Sequence, residues 1–251
     1  MIKVENINKN FDGKTVLKNV SFSLPPNTIL SVLGKSGCGK TTLLKILAGL
    51  LQPDSGVFEV YNQNVFSIAQ QQRGVVYLSQ EPLLFSHLNV FENIAYGLRI
   101  RKTEKSIVKL QVEELAHKLK LQDQLNKNTE QLSGGQKHRV SFGRALIINP
   151  KIMLLDEPFG SLDAHTRVEM QELFQQVKHS VKMAALFVTH DLKEALLMGN
   201  QIAVMDEGHL LQYESMQDFA QSHITQIKSE TEFWKNILND DVSVPTLKIK
   251  K

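Results

Sequence analysis

The stretch Gly34-Lys35-Ser36-Gly37-Cys38-Gly39-Lys40-Thr41 fits the pattern G-x-x-x-x-G-K-[ST], and the segments on either side decide what it can be. Upstream, Ile29-Leu30-Ser31-Val32-Leu33 reads as a short buried strand. Downstream, Thr42-Leu43-Leu44-Lys45-Ile46-Leu47-Ala48 reads as a helix closed by Gly49. A strand, a glycine-rich turn and a helix start make a cradle for a polyphosphate. Gly34, Gly37 and Gly39 let the backbone turn tightly, so that successive N–H groups from Ser36 to Thr42 point at charged oxygens. The helix N-terminus adds its positive end. In such a loop Lys40 reaches the β- and γ-phosphates, and Thr41 offers a hydroxyl to Mg²⁺.

The 251 residues suffice for a real core, and with 42% hydrophobic and 22% charged residues the chain reads as an ordinary globular protein. A net charge of +3 and the absence of a dense basic stripe do not point to nucleic acid. Cys38 is the single cysteine, which excludes an internal disulfide and fits a reducing compartment. The start, Met1 to Asn6, lacks the apolar centre of a signal peptide, and no apolar run approaches the roughly 20 residues of a membrane span. The expected location is therefore the cytoplasm, with any membrane work done through another subunit. None of the eight histidines shows the H-E-x-x-H spacing of a zinc site.

Before the loop, Ile2-Lys3-Val4, Val16-Leu17 and Val20 to Leu24 alternate as strands do, broken at Asp12-Gly13 and Pro25-Pro26, which predicts an antiparallel sheet. Phe11, just before the Asp12-Gly13 turn, either presents a ring face to an adenine base or simply packs. Gly56 to Tyr61 and Gly74 to Ser79 read as further strands, the second ending at Gln80. From Pro82 to about Asn149 the period is helical, with Val90, Ile94 and Leu98 on one face and then Ile107, Leu110, Val112, Leu115 and Leu119. Ile152-Met153-Leu154-Leu155 reads as a central parallel strand that delivers Asp156 and Glu157 at its carboxyl end, where ligands bind in such sheets. A helix over 164–181, a strand over 184–189 ending at His190, a helix near 192–198 and strands over 202–205 and 210–213 complete an α/β order. Glu232 to Leu238 is expected to form an amphipathic turn or two. No internal repeat or low-complexity segment is present.

Leu132-Ser133-Gly134-Gly135-Gln136 opens a second helix with two glycines and a serine hydroxyl, which taken alone describes a helix cap. It is followed by Asp156-Glu157-Pro158, Ser161-Leu162-Asp163 and Thr189-His190-Asp191. Together with the phosphate loop and Gln80, these stretches resemble the ATP-binding cassette family, specifically the ATPase subunit of an ABC transporter, over about residues 1–222. The resemblance implies an α/β fold: a P-loop NTPase sheet core with an N-terminal antiparallel β-subdomain and an inserted helical subdomain. The core would be 1–80 with 150–222, the helical signature subdomain 81–149, and 223–251 an extension of unknown role.

The resemblance also implies a dimer with ATP between the phosphate loop of one subunit and the signature stretch of the other. On that basis Asp156 holds Mg²⁺ through water, and Gln80 contacts the metal and the attacking water. Glu157 is the general base, and His190 contacts the γ-phosphate. Ser133, Gly134, Gly135 and Gln136 meet the ATP of the second copy, and Asp163 helps to join the two. The chain departs from the family's usual pattern at Lys137-His138, where glutamine or arginine is common, and at Ser141-Phe142-Gly143.

Pro158 to Ala164 and Leu84 to Ile94 look like the bacterial importers of polyamines, thiamine, sulfonates, nitrate, iron or sugars. The implied partners are a second copy or a related cassette, transmembrane permease subunits and a solute-binding protein, with no nucleic acid, at the inner face of the plasma membrane. The residues after 222 are too few for the regulatory β-domain of the sugar and polyamine cassettes. Alternatives are an export-type subunit, which usually carries a fused membrane domain, and a soluble ABC ATPase of DNA or the ribosome. The short gap between Lys40 and Ser133 leaves no room for the long coiled coil of the DNA-repair members. A regulatory nucleotide sensor without turnover would be favoured only if Glu157 were absent.

Overall fold

A computed structural model describes residues 1–180 and 183–221. In chain order they form β1 (Ile2–Phe11), β2 (Lys14–Leu24), β3 (Ile29–Leu33), α1 (Lys40–Leu47), β4 (Ser55–Val60), β5 (Gln63–Asn64), β6 (Val75–Leu78), α2 (Val90–Ile100), α3 (Lys105–Lys118) and α4 (Gly134–Leu146). Then follow β7 (Ile152–Asp156), α5 (Ala164–Ser180), β8 (Ala184–Thr189), α6 (Leu192–Met198), β9 (Gln201–Asp206), β10 (His209–Tyr213) and α7 (Met216–Gln221). Among the described residues these strands make two sheets, one ordered β2-β1-β4-β5 and the other β10-β9-β3-β8-β7-β6. In the first, β1 pairs antiparallel with β2 and β4, and β4 antiparallel with β5; in the second β9, β3, β8, β7 and β6 run parallel.

The hairpin joining β1 to β2 turns on Asp12 at φ 46° and Gly13 at φ 82°. Two successive left-handed residues match the twist of the flanking strands, which is why Asp-Gly occupies the turn. In the parallel sheet every residue of β3, β7 and β8 is buried, as apolar runs covered on both faces must be. Alternation splits each strand between two cores. Ile152 and Leu154 of β7 face one cluster with α1 and the antiparallel sheet, while Met153 and Leu155 face the other, with the residues of α2, α3 and α4. Leu43, Leu44, Ile46 and Leu47 of α1 are fully buried, each contributing about 1.5–3 kcal/mol of transfer free energy. That anchors the helix whose first turn carries Lys40 and Thr41.

The segment between β6 and β7 is helical, as its period predicts, and Val90, Ile94 and Leu98 do share the buried face of α2. Asn89 and Glu92 close a capping box at its start. The expected face of α3 needs correction. Ile107 and Leu110 are 43% and 66% exposed, whereas Val108, Val112 and Ala116 are buried, with Leu119 just beyond the helix. At about 100° per residue, four-residue spacing keeps Val108, Val112 and Ala116 on one stripe, and Ile107 and Leu110 fall outside it.

Among the described residues, 1–212 belong to one compact unit and 213–221 to a second. Within the second, Tyr213 meets Phe219 edge to face at 5.4 Å, and Ser215 Oγ accepts a hydrogen bond from the Asp218 N–H at the start of α7. The amphipathic turn expected at Glu232 to Leu238 lies outside the described residues. Among the described residues no helix is long and apolar enough to cross a membrane.

Candidate nucleotide site

A cavity of about 390 Å³ opens at the carboxyl edge of the parallel sheet, lined by the loop between β3 and α1, by Gln80 after β6, and by Asp156 and Glu157 at the end of β7. Its floor is the glycine loop. Gly37 and Gly39 have φ of 82° and 114°, and a Cβ on Gly39 would lie 2.9 Å from both Leu17 Cδ2 and Val16 O. Only glycine satisfies both the left-handed backbone and that close approach. A Cβ on Gly34 would similarly strike Met205 O at 2.4 Å.

Lys40 is 5% exposed, and its ammonium donates to Gly34 O at 2.7 Å and Lys35 O at 2.8 Å, with Glu157 Oε1 at 4.0 Å. The cation is thus held inside the loop by oxygen atoms, as a buried charge must be. Thr41 Oγ1 donates to Asp156 Oδ1 at 3.0 Å, tying the start of α1 to the end of β7. The other carboxylate oxygen, Oδ2, accepts from the Tyr77 hydroxyl at 2.8 Å.

Tyr77 was not among the residues expected from sequence, although a phenol within the apolar run Val75-Val76-Tyr77-Leu78 is the kind of residue whose hydroxyl needs a partner. Burial, reinforced by the bond to Asp156, pushes the Tyr77 phenol well above its usual pKa.

Glu157 adopts φ 46°, a left-handed backbone that costs a non-glycine residue about 1–2 kcal/mol. Its N–H donates to Val188 O at 3.0 Å, and its Oε2 lies 3.0 Å from His190 Nδ1. The parallel pairing of β7 with β8, which sets Asp156 against Val188, brings these two side chains together. Gly160 lies beside them: a Cβ there would crowd Gln80 Nε2 at 3.2 Å and would meet Glu157 Oε2 in ordinary contact at 3.6 Å. Thr42 and Ser36 line the same cavity. Cys38 is half-buried, and its thiol pKa is raised by burial, with Lys40 opposing. Thr41, Asp156 and Gln80 offer oxygen donors on one wall, a set that suits a hard divalent cation.

The signature stretch lines a different cavity, of about 320 Å³, whose walls include Ser133, Gly135, Gln136 and Arg139 and share no residue with the cavity around Lys40. Ser133 caps α4: its Oγ accepts from the Gln136 N–H at 3.3 Å, and Gln136 Oε1 accepts from the Ser133 N–H at 3.0 Å. A Cβ on Gly134 would meet open space, whereas one on Gly135 would lie 2.5 Å from Thr166 Cγ2. Asp163 Oδ1 accepts from the Thr166 N–H at 3.0 Å, and such bonds hold its carboxyl below the ordinary range. Arg144 places its guanidinium 4.8 Å from the Phe85 ring centre and donates to Leu83 O, joining α4 to the segment after Gln80. Phe11 is 42% exposed, with Lys9 Nζ 5.3 Å from its ring centre.

A glycine loop feeding a buried lysine into a helix start, with paired acids at the end of a parallel strand one removed from the strand before the loop, defines a P-loop nucleotide-binding protein. Residues 17–160 match the family model described as ABC transporter. The spermidine/putrescine import ATP-binding protein PotA of Acetivibrio thermocellus is 40% identical over 218 residues, 87% of this chain and 62% of that protein. PotA of Mycoplasma capricolum is 36% identical over 250 residues, 100% of this chain and 71% of that protein. The sulfate/thiosulfate import ATP-binding protein CysA of Gloeobacter violaceus is 40% identical over 214 residues, 85% and 62% of the two chains.

Among solved structures, the dimeric post-hydrolysis state of the ATP-binding cassette MJ0796 bound to ADP and Pi matches with a TM-score of 0.76 at 26% identity, covering 86% of this chain and 99% of that one. The chain belongs to the ABC transporter family, whose members bind ATP, and its fold is that of the cassette ATPase. It spans 62% to 71% of the length of those three curated relatives.

Proposed function

We propose that this chain is the ATP-hydrolysing subunit of a bacterial importer of a small solute. The observation that carries hydrolysis is the convergence of Lys40, Thr41, Asp156 and Glu157 on one cavity, with His190 against Glu157. In this reading Lys40 exchanges its contacts with the loop carbonyls for the β- and γ-phosphates. Thr41, Asp156 and Gln80 would hold Mg²⁺, which when bound offsets negative charge on the phosphates. Glu157 accepts a proton from, or orients, the attacking water, and the His190 Nδ1 contact fixes the carboxylate while leaving Nε2 to face the γ-phosphate. Phosphoryl transfer asks mainly for positioning and charge stabilisation, which are what these residues supply.

Ser133, Gly134, Gly135 and Gln136 act on the nucleotide of a second cassette, and Asp163 sits at the junction. Support for sharing comes from the separation of the two cavities and from the dimer named for MJ0796. Helix α4 presents its N-terminal backbone N–H groups beside Ser133, which suits an anionic ligand once a partner brings it. In the same reading residues 1–80 with 150–222 form the nucleotide-binding core and 81–149 the helical subdomain. The chain works at the inner membrane face against permease subunits supplied with solute by a binding protein. The names of its relatives support a polyamine or sulfate as the solute, and polyamines are the first class to test.

Two measurements test this. ATP turnover by the purified chain, lost in Lys40→Ala, tests the enzyme. Mild-detergent extraction with a tagged chain tests the assembly: a copurifying membrane permease supports import, and uptake of labelled spermidine against labelled sulfate assigns the solute. Copurification with ribosomes or DNA in place of a permease overturns the transport reading.

A further inference from the structure

His138 stands on α4 and is buried. Its Nε2 lies 3.3 Å from Ser161 Oγ, and Ser161 Oγ lies 3.4 Å from the main-chain O of Gln80. The direction of this chain of hydrogen bonds follows from its end. A carbonyl oxygen only accepts, so the Ser161 O–H is committed to Gln80, and the lone pair left on Oγ accepts from His138 Nε2–H. Burial lowers the imidazole pKa, which keeps the ring neutral near pH 7 with a single N–H to give.

The loop that carries Ser161 is the one that carries Glu157. The Gly160 N–H donates to Glu157 O at 3.0 Å, and a Cβ on Gly160 would crowd Gln80 Nε2 at 3.2 Å. Ser161 thus links the loop that carries Glu157 to the main chain of Gln80. Farther along, the Leu162 carbonyl accepts from Arg167 at 3.1 Å, and Arg139 of α4 pairs with Glu169 of α5 at 2.8 Å.

We propose that His138 is a positioning residue for ATP hydrolysis: through Ser161 it ties the signature helix α4 to the Gln80 carbonyl and holds the 157–163 loop where Glu157 can act. This inference rests on the hydrolysis reading and assigns to it a residue outside both cavities. Both bonds are long, and catalytic hydrogen bonds in ligand-free sites commonly tighten when the site closes. Because His138 touches neither nucleotide nor metal, its removal should slow turnover while leaving ATP affinity in place.

The test uses the full chain. His138→Ala and Ser161→Ala should each lower kcat about tenfold, the equivalent of about 1.4 kcal/mol, with KM for ATP changed less than about twofold. His138→Gln should stay within about twofold of wild type, since a glutamine amide carries an N–H at about the reach of imidazole Nε2. His138→Asn, one carbon shorter, should behave like alanine. The double variant should be no slower than either single, because both remove one link.

A second readout needs no turnover: in nucleotide-free protein the ¹⁵N spectrum of labelled histidine should show His138 as the Nε2–H tautomer, with its Nε2 signal shifted in Ser161→Ala. Unchanged kcat in Ser161→Ala, additive losses in the double variant, or a loss in His138→Gln as large as in His138→Ala overturns the proposal. If His138→Ala fails to fold, Ser161→Ala and the tautomer decide alone. Wild-type turnover no faster than that of Glu157→Gln overturns the hydrolysis reading itself, which separates the two failures.

Discussion

Nδ1 of His190 lies 3.0 Å from Oε2 of Glu157, although the two residues follow different strands, β8 and β7. The contact joins the proposed base to the residue proposed to face the γ-phosphate, and it leaves Glu157 Oε1 pointing toward Lys40 at 4.0 Å. Glu157→Gln keeps the side-chain shape and removes the base. ATP affinity should hold within a few-fold while phosphate release falls about 10²-fold or more. Full hydrolysis in this variant would strip Glu157 of its role.

Lys40→Ala should act on binding instead of chemistry. The ammonium now satisfies the carbonyls of Gly34 and Lys35 and is the cation nearest the floor of the cavity. Its loss removes a charge that would pair with phosphate, and ATP Kd should rise at least about 30-fold, since truncating one partner of a buried charge pair costs about 2–5 kcal/mol. Equilibrium binding of a fluorescent ATP analogue reads this directly; unchanged affinity would refute the placement of the phosphates.

Tyr77→Phe removes one hydroxyl and little volume, so its effect reports on the bond to Asp156. Leaving a buried carboxylate oxygen without this donor should destabilise the fold by about 1–3 kcal/mol. The urea midpoint should fall with no change in slope. A midpoint equal to wild type would mean the bond contributes nothing measurable.

Glu194 is buried, accepting from the Thr189 hydroxyl at 2.8 Å and the Gln171 amide at 3.2 Å, with Arg167 Nε at 4.0 Å. Burial raises its pKa above the ordinary carboxylate value, and the Thr189 bond opposes that rise. The folded state therefore holds this proton more tightly than the unfolded chain. Its contribution to stability is full below the unfolded value of about 4.3 and is lost as pH rises through the higher folded value. Denaturant midpoints measured upward from about pH 4 should fall more steeply for wild type than for Glu194→Gln. Parallel profiles would remove Glu194 as the source.

The shared site is tested by mixing Lys40→Ala with Ser133→Arg during assembly. In a mixed dimer one composite site takes both lesions, while the other keeps an intact loop from one chain and an intact signature from its partner. ATPase activity should rise above that of either pure mutant dimer. If differential tags confirm exchange and activity does not rise, a crosslink between cysteines placed at Ser36 and Gly135 under ATP discriminates an unshared site from one that needs both halves intact.

The glycine loop, the buried strand before it and the acids after Leu155 were legible because each is written in consecutive residues. A left-handed turn needs glycine, a strand covered on both faces needs an unbroken apolar run, and a helix start needs its cap. The face of α3 was not legible in the same way. Ile107 and Leu110 are as apolar as Val108 and Val112, and only packing against α2 and its neighbours selects which stripe is covered.

The bonds from Tyr77 and Thr41 to Asp156 span 79 and 115 residues of chain, and the contact from His138 to Ser161 spans 23. No periodicity encodes such pairs, because strand register and the docking of α4 decide them. The sequence by itself determined which chemical groups the chain carries and which local turns present them. Tertiary structure alone decided that Lys40, Asp156 and Glu157 share one cavity while Ser133, Gly135 and Gln136 line another, since distances between remote segments are set by how buried faces pack.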